Sequence, residues 1–210
     1  MSEIKQQSLE AYLDDLASKQ ATPGGGSAAA LMGAQGAALV SMVCNLTLGK
    51  PKYAAVESEI QALLLKSEQL RGRLLAMIKA DVDVFNQLMA CYGLPKTTDL
   101  EKAQRLEQIQ QVLKQATQVP FDCALACAEV IDLARIAAEK GNLGVISDAG
   151  VAVMSAYAGF KSAALNVDIN AAGLKDKDFA EAKLLKLQEI AAIADNAVQE
   201  IYQIVKDKLH

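Results

Sequence analysis

The chain contains a single histidine, and it is the last residue, His210. A fraying terminus does not hold a catalytic geometry, so Ser-His-Asp and Cys-His arrangements and His-based zinc sites are excluded. Chemistry must come from carboxylates, amines, Tyr, Asn or backbone amides. Trp is absent and aromatics make up only 4% of the residues, so Ala, Leu and other aliphatics must fill the core, which suits helices packed closely on helices. No strand pattern, repeat or low-complexity tract is present. There is no GxxxxGK[ST] phosphate loop, and no strand precedes the glycines to make a dinucleotide fingerprint. Four cysteines (Cys44, Cys91, Cys123, Cys127) lack CxxC spacing and read as buried free thiols in a reducing compartment. The net charge of −4 comes with scattered Lys and Arg, so no nucleic-acid partner is expected. The first residues lack the basic start and apolar run of a secretory signal, and a cytoplasmic location is expected.

Charge is also missing from Ala21 to Gly49, a stretch long enough to span a bilayer. Its opening glycines, its Gln35, Ser41, Asn45 and Thr47, and its Ala and Gly content speak for a central core helix instead. The length suits one domain, residues 1–210. Apolar residues recurring at three and four predict an all-α bundle of about six to seven helices, some long. The first carries Ile4, Leu9, Tyr12, Leu13 and Leu16, and the second runs from about Ser27 to Leu48 with Ala29, Gly33 and Ala37 on one stripe. A third extends from about Tyr53 to Cys91. Thr98 and Glu101 form a capping box that starts a fourth, reaching about Gln118. Pro120 opens a fifth, where Cys123 and Cys127 lie on the core face. Gly141-Asn142 ends it, Ser147 caps a sixth running towards Asn170, and Asp176 or Asp178 caps the last.

Several residues stand out chemically. Pro23-Gly24-Gly25-Gly26-Ser27 precedes a helix; three glycines allow φ > 0 and leave N–H groups uncovered, which makes either a tight helix corner or an anion nest. Leu70, Leu74, Met77, Asp81, Val84, Leu88 and Cys91 keep a 4-3-4-3-4-3 spacing, so Asp81 occupies an apolar position. A buried carboxylate there implies either a function or a structural partner. Asp83 lies about 200° round the helix from it and reads as solvated. Lys50-Pro51-Lys52-Tyr53 and Leu94-Pro95-Lys96 place cations at helix breaks. Ser147-Asp148 reads equally as a helix start. Asn166 and Asn170, at i and i+4, suit either a paired polar contact or the ring edge of a polar ligand.

Together these blocks resemble the cyclodeaminase/cyclohydrolase family, which includes the deaminase half of formiminotransferase-cyclodeaminase and stand-alone methenyltetrahydrofolate cyclohydrolases. The likeness covers nearly the whole chain. It rests on Thr22-Pro23-Gly24-Gly25-Gly26-Ser27-Ala28-Ala29-Ala30, on Ser41-Met42-Val43-Cys44-Asn45-Leu46-Thr47 with Gly49-Lys50 and Tyr53, and on Asp81 with Phe85. It continues through Gly93-Leu94-Pro95-Lys96, Gly141-Asn142, Ser147-Asp148-Ala149-Gly150-Val151 and Ala164-Leu165-Asn166-Val167 with Asn170. Val40 to Gly49 and Val145 to Asn166 are most similar to the short cyclohydrolases.

The resemblance implies an all-helical fold that forms a homodimer, with folate near the glycine turn. It implies no metal and no cofactor beyond tetrahydrofolate, which is the carrier half of the substrate. The expected reaction is hydrolysis of 5,10-methenyltetrahydrofolate to 10-formyltetrahydrofolate. Cyclodeamination of 5-formiminotetrahydrofolate is the alternative, weakened because these residues include no transferase. A non-catalytic folate-binding bundle and a membrane-associated protein are the readings of other classes. For the hydrolysis, Asp81 is the expected general base, with Asp148 next and Lys50 or Tyr53 as proton donor. Pro23, Gly24, Gly25, Gly26 and Ser27 are expected to bind substrate through backbone donors, and Lys96 or Arg105 to meet the glutamate tail. Asn142, Ser147, Asn166 and Asn170 complete the expected pocket.

Overall fold

A computed structural model describes residues 4–210, and in that range the chain is a bundle of six α-helices joined by turns and three short 3₁₀ segments. They are α1 (Leu9–Ala17), α2 (Gly25–Asn45), α3 (Glu57–Tyr92), α4 (Asp99–Lys140), α5 (Ile146–Ala172) and α6 (Lys177–Leu209). The 3₁₀ segments are Ile4–Gln6, Pro51–Val56 and Leu143–Val145. No strand occurs among the described residues.

The charge-free stretch becomes the central helix. α2 packs against α3, α4 and α5, while α6 covers α4 and α5 from the far side. Ala29 and Ala37 are fully buried, and α2 runs antiparallel to α5 with almost nothing between the two backbones. A Cβ on Gly159 would lie 2.9 Å from both the Ala29 carbonyl oxygen and the Gly33 nitrogen. One on Gly36 would lie 2.9 Å from the Ala152 carbonyl oxygen. Small side chains thus set the helix separation. α2 and residues Leu143–Ala172 are each long and apolar enough to cross a membrane; in the bundle both are packed against neighbouring helices.

The cysteines are core. All four are free and buried, and Cys127 Sγ fills the space beside Gly33 and Gly159. A second, smaller apolar cluster joins Val84, Leu88 and Cys91 of α3 to Ile109 and Leu113 of α4 and Leu174 beyond α5.

Three expectations are corrected by the fold. The third helix was expected from about Tyr53, but Pro51–Val56 is a separate 3₁₀ turn and α3 starts at Glu57. Pro120 does not open a new helix but lies inside the 42-residue α4. An interior proline removes the N–H that would reach the carbonyl four residues back. Here that carbonyl belongs to Ala116, and Asn170 Nδ2 of α5 donates to it at 2.7 Å. The helix continues because its missing donor arrives from a neighbour. Ser147, expected to cap α5, sits in its first turn, since the Leu143–Val145 turn feeds straight into Ile146 and Val145 holds the cap position. The expected capping box at Thr98/Glu101 forms as read, with Thr98 Oγ1 accepting from the Glu101 N–H, and of Asp176 and Asp178 it is Asp176 that caps α6, accepting from the Phe179 N–H.

Candidate active site at the glycine corner

Gly24 occupies the N-cap of α2 in an extended conformation and offers no side-chain cap. The first N–H groups of a helix need acceptors from elsewhere, and α3 supplies one. Ser27 Oγ donates to Asp81 Oδ2 at 2.9 Å, with the Ile78 carbonyl at 3.4 Å as a longer acceptor. The Ser27 backbone N–H, with its hydroxyl, favours the charged form of the Asp81 carboxyl. The carboxylate therefore lies against the start of α2 from across the bundle, where the helix dipole favours a negative charge.

Gly26 is what makes room for it. A Cβ there would stand 2.0 Å from Asp81 Oδ1 and 2.5 Å from its Cγ. Only a residue without a side chain lets the acid lie against the helix start. The expected left-handed backbone is not the reason for the glycines: among the described residues, Gly49 alone has a positive φ. Gly25 faces α5, where a Cβ would meet Asn166 Nδ2 at 3.5 Å, and Asn166 Nδ2 donates to the Ser162 carbonyl at 2.9 Å. Burial pushes the Asp81 carboxyl above the ordinary carboxylate range, and the bonds from Ser27 pull partly against it. The result is a carboxylate with more than usual basicity.

Outside this corner, Thr22 and Pro23 line a cavity of about 590 Å³ with Gln7, Asp15, Lys79, Asp83 and Asn86. Asp83 is half-exposed and bonded to Lys79, as its solvated reading implied. Tyr12 of α1, which sequence reasoning placed only on an apolar face, lies close enough for its phenol to feel the Asp81 charge. Its hydroxyl in an otherwise apolar helix face was the available signal.

The remaining expected residues lie elsewhere in the single chain. Lys50, Tyr53, Asn142, Ser147 and Asp148 gather at the other end of α2, about 30 Å away along 21 residues. Lys50 is exposed at the cap of the Pro51–Val56 turn. Tyr53 Oη donates to Asn142 Oδ1 at 3.3 Å and accepts from the Leu143 N–H at 3.0 Å. Asn142 in turn donates through its N–H to Thr47 Oγ1 and through Nδ2 to the Leu46 carbonyl. This network ties the end of α2 to the α4–α5 connection. Asp148 is half-buried in the first turn of α5 and Ser147 is exposed beside it. Lys96 is exposed between α3 and α4. Arg105 donates to the Tyr92 carbonyl at 3.0 Å and stacks on the Tyr92 ring, which caps the end of α3. One chain thus brings together Pro23 to Ser27, Asp81 and Asn166, while the Asn170 amide is used to sustain α4.

Residues 8–189 match the model of the formiminotransferase-cyclodeaminase family. The chain belongs to this family. The methenyltetrahydrofolate cyclohydrolase of Methylorubrum extorquens is 58% identical over 97% of this chain and 98% of its own length. The formimidoyltransferase-cyclodeaminase of Rattus norvegicus is 33% identical over 83% of this chain, which spans only 32% of that longer protein. Among solved structures, the formiminotetrahydrofolate cyclodeaminase of Thermotoga maritima superposes with a TM-score of 0.82 at 29% identity. That match covers 99% of this chain and 98% of the other. The all-helical fold of this family member is therefore shared with a cyclodeaminase, while the higher identity is to a protein named as a cyclohydrolase.

Proposed function

We propose that this protein hydrolyses 5,10-methenyltetrahydrofolate to 10-formyltetrahydrofolate in the cytoplasm. The reading rests on the 58% identity, nearly end to end, with a protein named methenyltetrahydrofolate cyclohydrolase. The glycine corner is where the chemistry fits. The substrate carries an amidinium-like cation on the carbon between N5 and N10, and a buried carboxylate favours such a cation in a low-dielectric setting. Water adds to that carbon as Asp81 takes one of its protons, so burial, which raises the basicity of Asp81, aids the step. The C–N5 bond then breaks, N5 takes up a proton, and the formyl group stays on N10. The N–H groups of Gly25 and Gly26, in the first turn of α2, offer donors to a polar ring edge. Asn166 closes the corner from α5.

The expected homodimer gives the distant residues a place in the same proposal. The outward sides of α2 and α5 expose Met42, Val151, Met154, Leu165 and Ile169 by 41% to 74%. A second copy covering them with its α2 antiparallel would set the Lys50, Tyr53 and Asp148 end of one protomer beside the glycine corner of the other. Lys50 or Tyr53 would then be the proton donor to N5, and Asp148 a second acid. Purified protein should remove the near-ultraviolet absorbance of methenyltetrahydrofolate faster than buffer. Absence of acceleration, together with ammonia release from 5-formiminotetrahydrofolate, would replace this reading with cyclodeamination, the activity in the name of the superposed structure. Full turnover by a monomer would remove the second copy from the site.

A further inference from the structure

Tyr12 is the only buried residue of α1 and is 6% exposed. Its hydroxyl is shut off from solvent and has no hydrogen-bond partner among the described residues. Buried phenols are normally paired, so this one marks a point where a polar group must arrive. The ring lines a cavity of about 180 Å³ with Leu31, Leu75, Ile78 and Gln7, and Gln7 Oε1 is likewise buried and unpaired. Ile78 also carries the carbonyl that faces Ser27 Oγ. Tyr12 and the Ser27–Asp81 pair therefore meet at one turn of α3. Burial first, and the Asp81 charge second, keep the phenol protonated beyond the ordinary tyrosine range, so it retains a proton to donate.

We propose that Tyr12 is a positioning residue for Asp81: its hydroxyl donates to the carboxylate through one bridging water and sets the pH at which Asp81 ionises. Few other groups compete for that role. On α3, Lys79 and Asp83 bond to each other. On α1, Asp15 accepts from the Gln7 side chain. α2 is free of charge, Asn166 of α5 is neutral, and the groups acting on Asp81 besides its burial are those of Ser27. The kinetic part of the test rests on Asp81 being the base of the proposed hydrolysis; the titration part does not.

Tyr12→Phe removes the hydroxyl and leaves the ring. The Asp81 carboxyl, followed by carbon NMR against pH, should titrate about one pH unit higher in this variant. The acid limb of the rate profile should move with it, a roughly tenfold loss on the acid side and an unchanged plateau. In the wild type, the Tyr12 Cζ resonance should step at the pH where Asp81 titrates. Coincident Asp81 titrations in the two proteins, or a Tyr12 resonance blind to Asp81 in the wild type, would overturn the proposal, and the second measurement needs no variant to fold. A shifted titration in proteins that never hydrolyse methenyltetrahydrofolate would uphold Tyr12 and reject the cyclohydrolase reading. Unmoved titration with turnover intact would do the opposite.

Discussion

Replacing Gly26 by Ala adds one methyl group where the Asp81 carboxyl lies. The new Cβ would sit 2.0 Å from Oδ1, against an ordinary contact of 3.4 Å or more. The obstacle includes the Asp81 Cγ at 2.5 Å, so a small rotation of the terminal oxygens does not relieve it. The carboxylate must retreat by about 1.4 Å, which breaks its 2.9 Å bond from Ser27 Oγ. A misplacement of about 1 Å at a reacting group costs on the order of 100-fold in rate. Overpacking costs about 1–3 kcal/mol, and the better helix propensity of Ala returns up to about 1 kcal/mol of that. The net loss of up to about 2 kcal/mol lowers the melting temperature by a few degrees, since 1 kcal/mol is worth about 2–4 °C at this size. The expected variant is therefore folded and nearly inactive when methenyltetrahydrofolate absorbance is followed over the buffer rate. Two controls isolate the cause. Gly25→Ala meets Asn166 at an ordinary 3.5 Å and should keep its rate within a few-fold, and Gly72→Ala has nothing within 4 Å and should gain about 0.5–1 kcal/mol in stability. A folded Gly26→Ala protein with wild-type turnover would refute the placement of chemistry at the corner.

Asp81→Asn retains an acceptor for Ser27 but no base, so turnover should fall by about 10²–10⁴-fold. Because burial raises the folded carboxyl above its unfolded value, Asp81's contribution to stability is full below the ordinary carboxylate range. It declines as pH rises through the raised value. Melting of the Asn variant across acid to neutral pH should lack that decline and match or exceed the wild type at neutrality. Asn170→Ala should leave Ala116 O unpaired and cost about 1–3 kcal/mol with unchanged turnover; in a Pro120→Ala background, where an N–H returns, the cost should nearly vanish in denaturant titrations. Tyr53→Phe should cost about 1–2 kcal/mol by loss of its two bonds. A rate loss well beyond that, in protein shown to be dimeric, is expected if Tyr53 reaches the site of a second copy.

The helices were legible because glycine, proline and capping residues act locally: Thr98 with Glu101, Gly93 and Asp176 mark real ends. Pro120 misled because its remedy is Asn170, 50 positions away, and a one-dimensional reading sees the breaker without the donor. Asp81 was legible as a polar intruder in an apolar row, and the glycine turn as an unusual helix start. Their meeting was legible only through the family resemblance and not from either segment alone, since it depends on how α2 settles against α3. Nor was the reason for Gly26, where the demand is for space and not for a backbone angle. Lys50, Tyr53 and Asp148 were expected to share one site with the corner, yet the length of α2 separates them within one chain.

The seam between α2 and α5 has a mechanical meaning. With backbone against backbone at Gly33, Gly36 and Gly159, there are no long side chains between the two rods to flex, so they move as a single stiff beam. The corner and Asn166 sit at the same end of that beam and hold their spacing through thermal motion. α1, attached by one buried aromatic, is the part free to breathe. Amide hydrogen exchange should show the beam as the slowest element and α1 as the first to open, by local unfastening and not by reshaping of the bundle.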